Sequence, residues 1–254
     1  MKTLATVALA CTLLFPTLAS AEKLKICYLE WGKLGGEKLP NKGLIPDAVT
    51  RILTDAGYEV EVFIRPWNRC IEQTKSMEFD MVADAWKGPT FDNDFDYFHT
   101  HHIDKISFVV RDDSPLTSGT FESLKGKRVG YLDTSGGLEK FYQNKALFSE
   151  VTAVPTEAAM VRILDGGRVD AIVSDPVQLL GVASKLTPPV QTKLRVLEPP
   201  IQMNIGAALI SKKHPKKQQI MAAYEKSFRK LLKTDMYQKL EQVHGVKLDL
   251  PQVK

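Results

Sequence analysis

Residues 83–104, "ADAWKGPTFDNDFDYFHTHHID", crowd carboxylates, imidazoles, one ammonium and the aromatic anchors Trp86 and Phe91 into one short stretch. Such side chains catalyse, bind a metal or line a pocket, and their spacing discriminates between these. "DNDFD", Asp92 to Asp96, opens like a calcium loop. Its sixth position is Tyr97 where the loop needs glycine, and its twelfth is Ile103 where it needs glutamate. His99, His101, His102 and Asp104 are zinc-type donors. Alternation along a strand puts His99 and His101 on one face and His102 on the other, so they do not form a convergent triad. No metal and no cofactor is expected.

Catalytic patterns are equally weak. The chain has no Gly-x-Ser-x-Gly elbow and no His-Glu-x-x-His pair. "GYLDTSGG" is glycine-rich but lacks the Gly-Lys-Ser/Thr ending of a phosphate loop. Its hydroxyl residues, Thr134 and Ser135, open a helix and leave backbone N–H groups free for a polar or anionic ligand; an ordinary helix cap is the alternative. The tryptophans are more informative. Trp31, Trp67 and Trp86 are all the tryptophans in the chain, and each follows a strand-like run. Rigid aromatic walls with a few placed polar groups make a ligand pocket.

These residues hang on an alternation of strands and helices. "LKICYLEW", "YEVEVFIRP", "DMVADAW", "KRVGYL" and "RVDAIVSD" read as strands, and "LRVLEPPIQMNIGAALI" as two more. "PDAVTRILTDAG" reads as a helix with Pro46 in its first turn and Gly57 as its stop. Further helices lie over "NRCIEQTKSMEF", "LEKFYQN", "PTEAAMVRILDGG" (capped by Thr156) and "PVQLLGVASK" (opened by Pro176). In "QQIMAAYEKSFRKLLK", Ile220, Met221, Tyr224, Phe228 and Leu231 form a core-facing stripe. The alternation predicts an α/β fold with largely parallel sheets, whose ligands bind beyond the carboxyl ends of the strands. The loops after "CYLE", "FIRP", "VADA", "VGYL" and "AIVS" are therefore the ones to watch.

The N-terminus bears on compartment. "MKTLATVALACTLLFPTLASA" has a lysine, an apolar run too short to span a bilayer and a small-x-small ending. A signal peptide over residues 1–21 and a periplasmic protein are expected. The exported chain keeps Cys27 and Cys70, which an oxidising compartment allows to form one disulfide; two buried thiols are the alternative. The formal charge is +4, and late lysines in "SKKHPKKQQ" and "KSFRKLLK" read as a solvated helix face, with no nucleic-acid partner. With 44% hydrophobic residues the chain can build one domain or two small ones.

Several stretches together resemble the bacterial family 3 solute-binding proteins, the polar amino-acid-binding type found with ABC importers. They are "GLIPDAVTRILTDAGYEVEV", "PWNRCIEQTKSMEFDMV", "LKGKRVGYLDTSGG" and "RILDGGRVDAIVSD". The resemblance implies a type II periplasmic-binding-protein-like fold: two α/β lobes, joined by two crossing segments, with the ligand cleft between them. Lobe one would comprise residues 22–110 plus 204–254, and lobe two residues 111–203. The crossings would lie near "ISFVVRDDS" and "QMNIGAAL", which makes the histidine stretch an approach to the hinge.

By the same resemblance Trp31 stacks on the ligand, and Trp67 fills an apolar pocket position. Asp84, Ala85 and Lys87 stand where small polar residues hydrogen-bond the ligand. Thr134 and Ser135 lie at a helix N-terminus of the second lobe, and Asp175 pairs with an α-amino group. One departure matters. The family's Thr-x-x-Arg, whose arginine grips a carboxylate, is here "GPTFDND", with Asp92 about where the guanidinium would be. Like charge there repels a carboxylate. Lys87 and Arg69 are the candidates to supply a point charge instead. Asp84 also replaces a serine of the family pattern.

With Asp84 and Asp175 acidic and tryptophans around them, the sequence favours a cationic or amine-bearing ligand. The expectation is a non-enzymatic, monomeric receptor that closes on its ligand and serves an inner-membrane ABC permease. A dehydratase-like enzyme on the same fold and a partner presenting ligand to a sensor receptor are the alternatives.

Overall fold

Leu24, Ile26, Cys27 and Tyr28 are buried along the first strand, β1 (Lys23–Tyr28), and a βα rhythm follows from it. The computed structural model describes residues 21–133 and 136–248, with the backbone alone for residues 100 and 101. The leader expected over residues 1–21 therefore lies almost wholly outside the described residues, as do Thr134 and Ser135. After β1 come α1 (Leu44–Asp55), β2 (Glu59–Ile64), α2 (Trp67–Lys75) and β3 (Met81–Trp86). A 17-residue strand, β4 (Phe95–Arg111), leads into β5 (Arg128–Leu132), α3 (Glu139–Gln143) and β6 (Glu150–Val154). Then follow α4 (Glu157–Asp165), β7 (Ala171–Ser174), α5 (Pro176–Ala183), β8 (Leu194–Val196), β9 (Gln202–Ser211), α6 (Lys217–Leu231) and α7 (Met236–His244).

Local chemistry accounts for most helix limits. Thr156 accepts a hydrogen bond from Ala159 N–H to cap α4, and Gly167 leaves it at φ +67°. Asp175 caps α5 by accepting from Val177 N–H at 2.8 Å, with Pro176 in the first turn. The stripe on α6 does pack inward: Ile220, Tyr224 and Phe228 are buried, with Met221 and Leu231 partly so. Strand β6 and helix α7 carry no strong sequence signal and emerge only here. β6 forms because β5 offers it a parallel edge, in register from Arg128–Glu150 to Leu132–Val154.

The strands run β2-β1-β3-β9-β4-β7-β5-β6, with β8 beside β4. Pairs among β1, β2 and β3, and among β5, β6 and β7, are parallel as expected. The middle is not: β3–β9, β9–β4, β4–β7 and β4–β8 are antiparallel. Those central pairs come from two long strands that serve both halves. From Phe95 to Ile106, β4 pairs with β9, and from Ser107 to Arg111 it pairs with β7 and β8.

Burial follows the same division. One core gathers α1, α6 and α7 around β1 and β3, with Ile26, Val49, Ile52, Tyr224 and Leu240 at its centre. Two adjoining clusters around Phe108, Phe141 and Val129, and around Met160, Leu164 and Ile172, fill the other half. Two lobes joined by two crossing strands follow directly. Cys27 in β1 and Cys70 in α2 are joined by a disulfide, with Cα atoms 5.5 Å apart. Among the described residues no helix is long and apolar enough to cross a membrane.

Candidate ligand-binding cleft

Strand alternation builds the cleft floor. Asp84 and Trp86 share one face of β3, while Ala85 and Lys87 take the other. On β4, His102 and Asp104 share a face and sit directly opposite Gly206 and Asn204 of β9. Gly206 also pairs with Trp86 on its other side. Three adjacent strands thus point Asp84, Trp86, His102 and Asp104 to one place. A Cβ on Gly206 would lie 2.1 Å from His102 Cε1 and 2.7 Å from Asp84 Oδ1, so only glycine leaves room for the imidazole.

The facing lobe supplies Asp175 from the start of α5. Across the seam, Trp31 Nε1 donates to Asp175 Oδ2 at 3.2 Å. Trp86 Nε1 donates to Asp104 Oδ2 at 2.5 Å, and the two indoles meet edge to face with centroids 5.2 Å apart. Asn204 Nδ2 donates to the Gly137 carbonyl at 2.9 Å, and Trp86 packs so tightly on Gly137 that a Cβ there would lie 2.3 Å from the ring. The lobes therefore touch through their polar and aromatic residues.

Electrostatics are unusual for a buried place. Asp84, Asp104 and Asp175 are only 5%, 7% and 5% exposed, and His102 1%. His102 Nε2 lies 3.0 Å from Asp104 Oδ2 and 3.6 Å from Asp84 Oδ2. Burial alone would lower the imidazole pKa, but the charges of Asp84 and Asp104 outweigh it and raise it to about 9. Burial, and then the charge of Asp104, push the Asp175 carboxyl up to about 7. The Tyr28 phenol, buried close to the same three carboxylates, is raised well above its usual value and stays neutral. Among the described residues no three such groups are arranged to hold a metal ion.

Of the residues singled out from sequence, Trp31, Asp84, Trp86 and Asp175 meet in this seam. Lys87 and Trp67 do not. Strand alternation turns Lys87 away, toward Tyr97, His99, Met221 and Glu225 around a surface cavity of about 530 Å³, where burial lowers its pKa. Trp67 packs edge to face on Phe91, against Val82, Ala85 and Phe95 on the outer side of β3. Asp92 and Arg69 are both exposed. His99 is turned to Glu225, 3.5 Å away, and packs at a tilt against Phe228.

His102, Asp104, Asn204 and Gly206 are cleft residues that the sequence does not single out as ligand-binding, although His102 and Asp104 are zinc-type donors. Their two-residue spacing was the available signal, because it puts both on one strand face. What hid them was the long β4, whose pairing shifts twice between Tyr97 and His102 and breaks simple alternation from His99.

Similar folds appear among solved structures. A histidine kinase sensor domain with similarity to periplasmic binding proteins superposes with a TM-score of 0.71 at 17% identity, covering 91% of this chain and 99% of that one. The probable amino-acid ABC transporter extracellular-binding protein YtmK of Bacillus subtilis gives 0.73 at 16%, covering 87% and 96%. The substrate-binding protein AbpA of Streptococcus pneumoniae, bound to L-arginine, gives 0.64 at 18%, covering 88% and 94%. No curated protein sequence matches the chain. The sequence profile of a single family spans residues 36–246, taking in both lobes and both crossing strands. The chain belongs to that family, the bacterial extracellular solute-binding proteins, family 3.

Proposed function

We propose that this protein captures a small cationic, amine-bearing solute between its lobes and delivers it to an ABC-type importer. The observation that carries the reading is the convergence of Asp84, Asp104 and Asp175, nearly buried, beside the indoles of Trp31 and Trp86. A cation gains from carboxylates and from aromatic faces, and both gains grow as water leaves. A carboxylate ligand would meet repulsion from these carboxylates, and Lys87 points to another surface.

In this reading residues 22–110 plus 204–254 form one jaw and residues 111–203 the other. β4 and β9 act as the hinge, and the ligand favours closure because it binds both jaws at once. Trp31, Asp84, Trp86, Asp104 and Asp175 hold the cation, with Thr134 and Ser135 as further candidate ligand contacts. Residues 1–21 are removed on export, and the monomer works in the periplasm without chemical turnover.

The test is thermal unfolding of residues 22–254 against amines, amino acids and small carboxylates. A ligand at a hundredfold its Kd adds about 2.7 kcal/mol, which raises the midpoint by several degrees. Amines are expected to shift it and carboxylates not. In Asp175→Asn, which keeps the helix cap, the amine shift should disappear; the opposite ligand preference would sink the reading. The likeness to a histidine kinase sensor domain favours one second reading, presentation of the same ligand to a membrane receptor. Deletion would then abolish a response to the amine while leaving its uptake intact.

A further inference from the structure

His102 is a basic side chain set among the cleft carboxylates, with its Nε2 turned to two of them. Asp84 faces it from β3, and Asp104 lies two residues along its own strand. Asp175 adds its field from the start of α5, and the neutral Tyr28 phenol of β1 sits near the same three carboxylates. On β9 the uncharged Gly206 lies under its ring, with Asn204 beside it. A positive group already bridges two of the anions that a cationic solute would seek.

We propose that His102 is the specificity-determining residue of the cleft: its imidazolium bridges Asp84 and Asp104 and lowers by one the positive charge a ligand must bring. This rests on the cationic reading of the cleft and gives it a charge count. The imidazolium cancels one of three carboxylate charges and leaves two for the ligand. The best-matched solute is then a small dication, such as a diamine or a guanidinium bearing an amine. Its entry expels the proton that burial favours on Asp175. Neutralising His102 deepens the negative field and strengthens the reward for a second ligand charge.

Butylamine and 1,4-diaminobutane, which share a four-carbon chain and differ by one terminal ammonium, are titrated calorimetrically into the wild type and His102→Gln near neutral pH. The diamine should bind the wild type more tightly. In H102Q, which retains an N–H donor toward Asp104, its advantage over the monoamine should grow about tenfold or more. In Asp84→Asn the advantage should shrink by a similar factor, and that variant decides if H102Q does not fold. NMR titration should show the imidazole signal that H102Q removes keeping its proton beyond pH 8. An unchanged diamine-to-monoamine ratio in proteins that still bind amines overturns the role of His102 alone. If neither amine binds the wild type while another class of solute does, the cationic reading fails and this inference falls with it.

Discussion

Gly206 occupies the middle of the site without a side chain, with Trp86 across from it on one neighbour and His102 on the other. Gly206→Ala would drive a methyl into the His102 ring and the Asp84 carboxylate, neither of which has open space to retreat into. Overpacking of this kind costs about 1–3 kcal/mol, roughly 2–4 °C of unfolding midpoint per kcal/mol in a chain of this size. The variant should also lose the amine response. Gly88→Ala is the control, since a Cβ there meets nothing within 4 Å. Equal midpoints for the two variants would show that the slot is not tight. At this scale the sequence was legible where a residue closes a strand: Trp86 and Asp175 each stand at or next to a strand end. It was illegible for Lys87, which follows the cleft residue Trp86 and whose face is decided by alternation alone.

Among elements, the tie between β1 and α2 is covalent. The Cys27–Cys70 bridge closes a separation of 43 residues and is buried, so reductant should act only once the fold opens. Chain-entropy arguments give about 4 kcal/mol for a loop of that length. Guanidinium unfolding in the presence of reductant should therefore show a lower midpoint than without it; coincident curves would mean that the bridge does not constrain the unfolded chain. The bridge was one of two alternatives for a pair of cysteines in an exported chain, and proximity in the fold chose between them. α7 was not foreseen, because its hold is tertiary. His244 at its end sits 3.0 Å from the buried Asp47 of α1, which also accepts from Arg51 and Asn41. No pattern within α7 announces a partner 197 positions away.

For the whole molecule, the cleft should make stability depend on pH in an uncommon direction. In the folded protein Asp175 releases its proton near pH 7 instead of 3.8, and His102 near 9 instead of 6.5. Both groups bind protons more tightly folded than unfolded, so stability falls as pH rises through each window, about 4 to 7 for Asp175 and about 6.5 to 9 for His102. Without ligand the unfolding midpoint should decline between pH 5 and 9. Asp175→Asn should flatten the lower part of that decline and be the more stable protein at pH 8, as expected where a charge is buried for binding. A midpoint that rises over this range would contradict the electrostatics described for the cleft.

What the sequence determined by itself was the kind of molecule. Periodicity, caps and turn residues act over a few positions, and they were enough for an α/β chain whose polar and aromatic groups gather at strand ends. Motif spacing carried the family. The tertiary structure decided which of those groups meet. Trp31 and Asp175 are 144 residues apart, and their hydrogen bond exists only because two lobes face each other. His102 became part of the cleft because β9 presents a glycine opposite it. Sequence encodes the local preferences of each strand, whereas the charge of a cleft is a sum over strands whose neighbours are set by pairing in space.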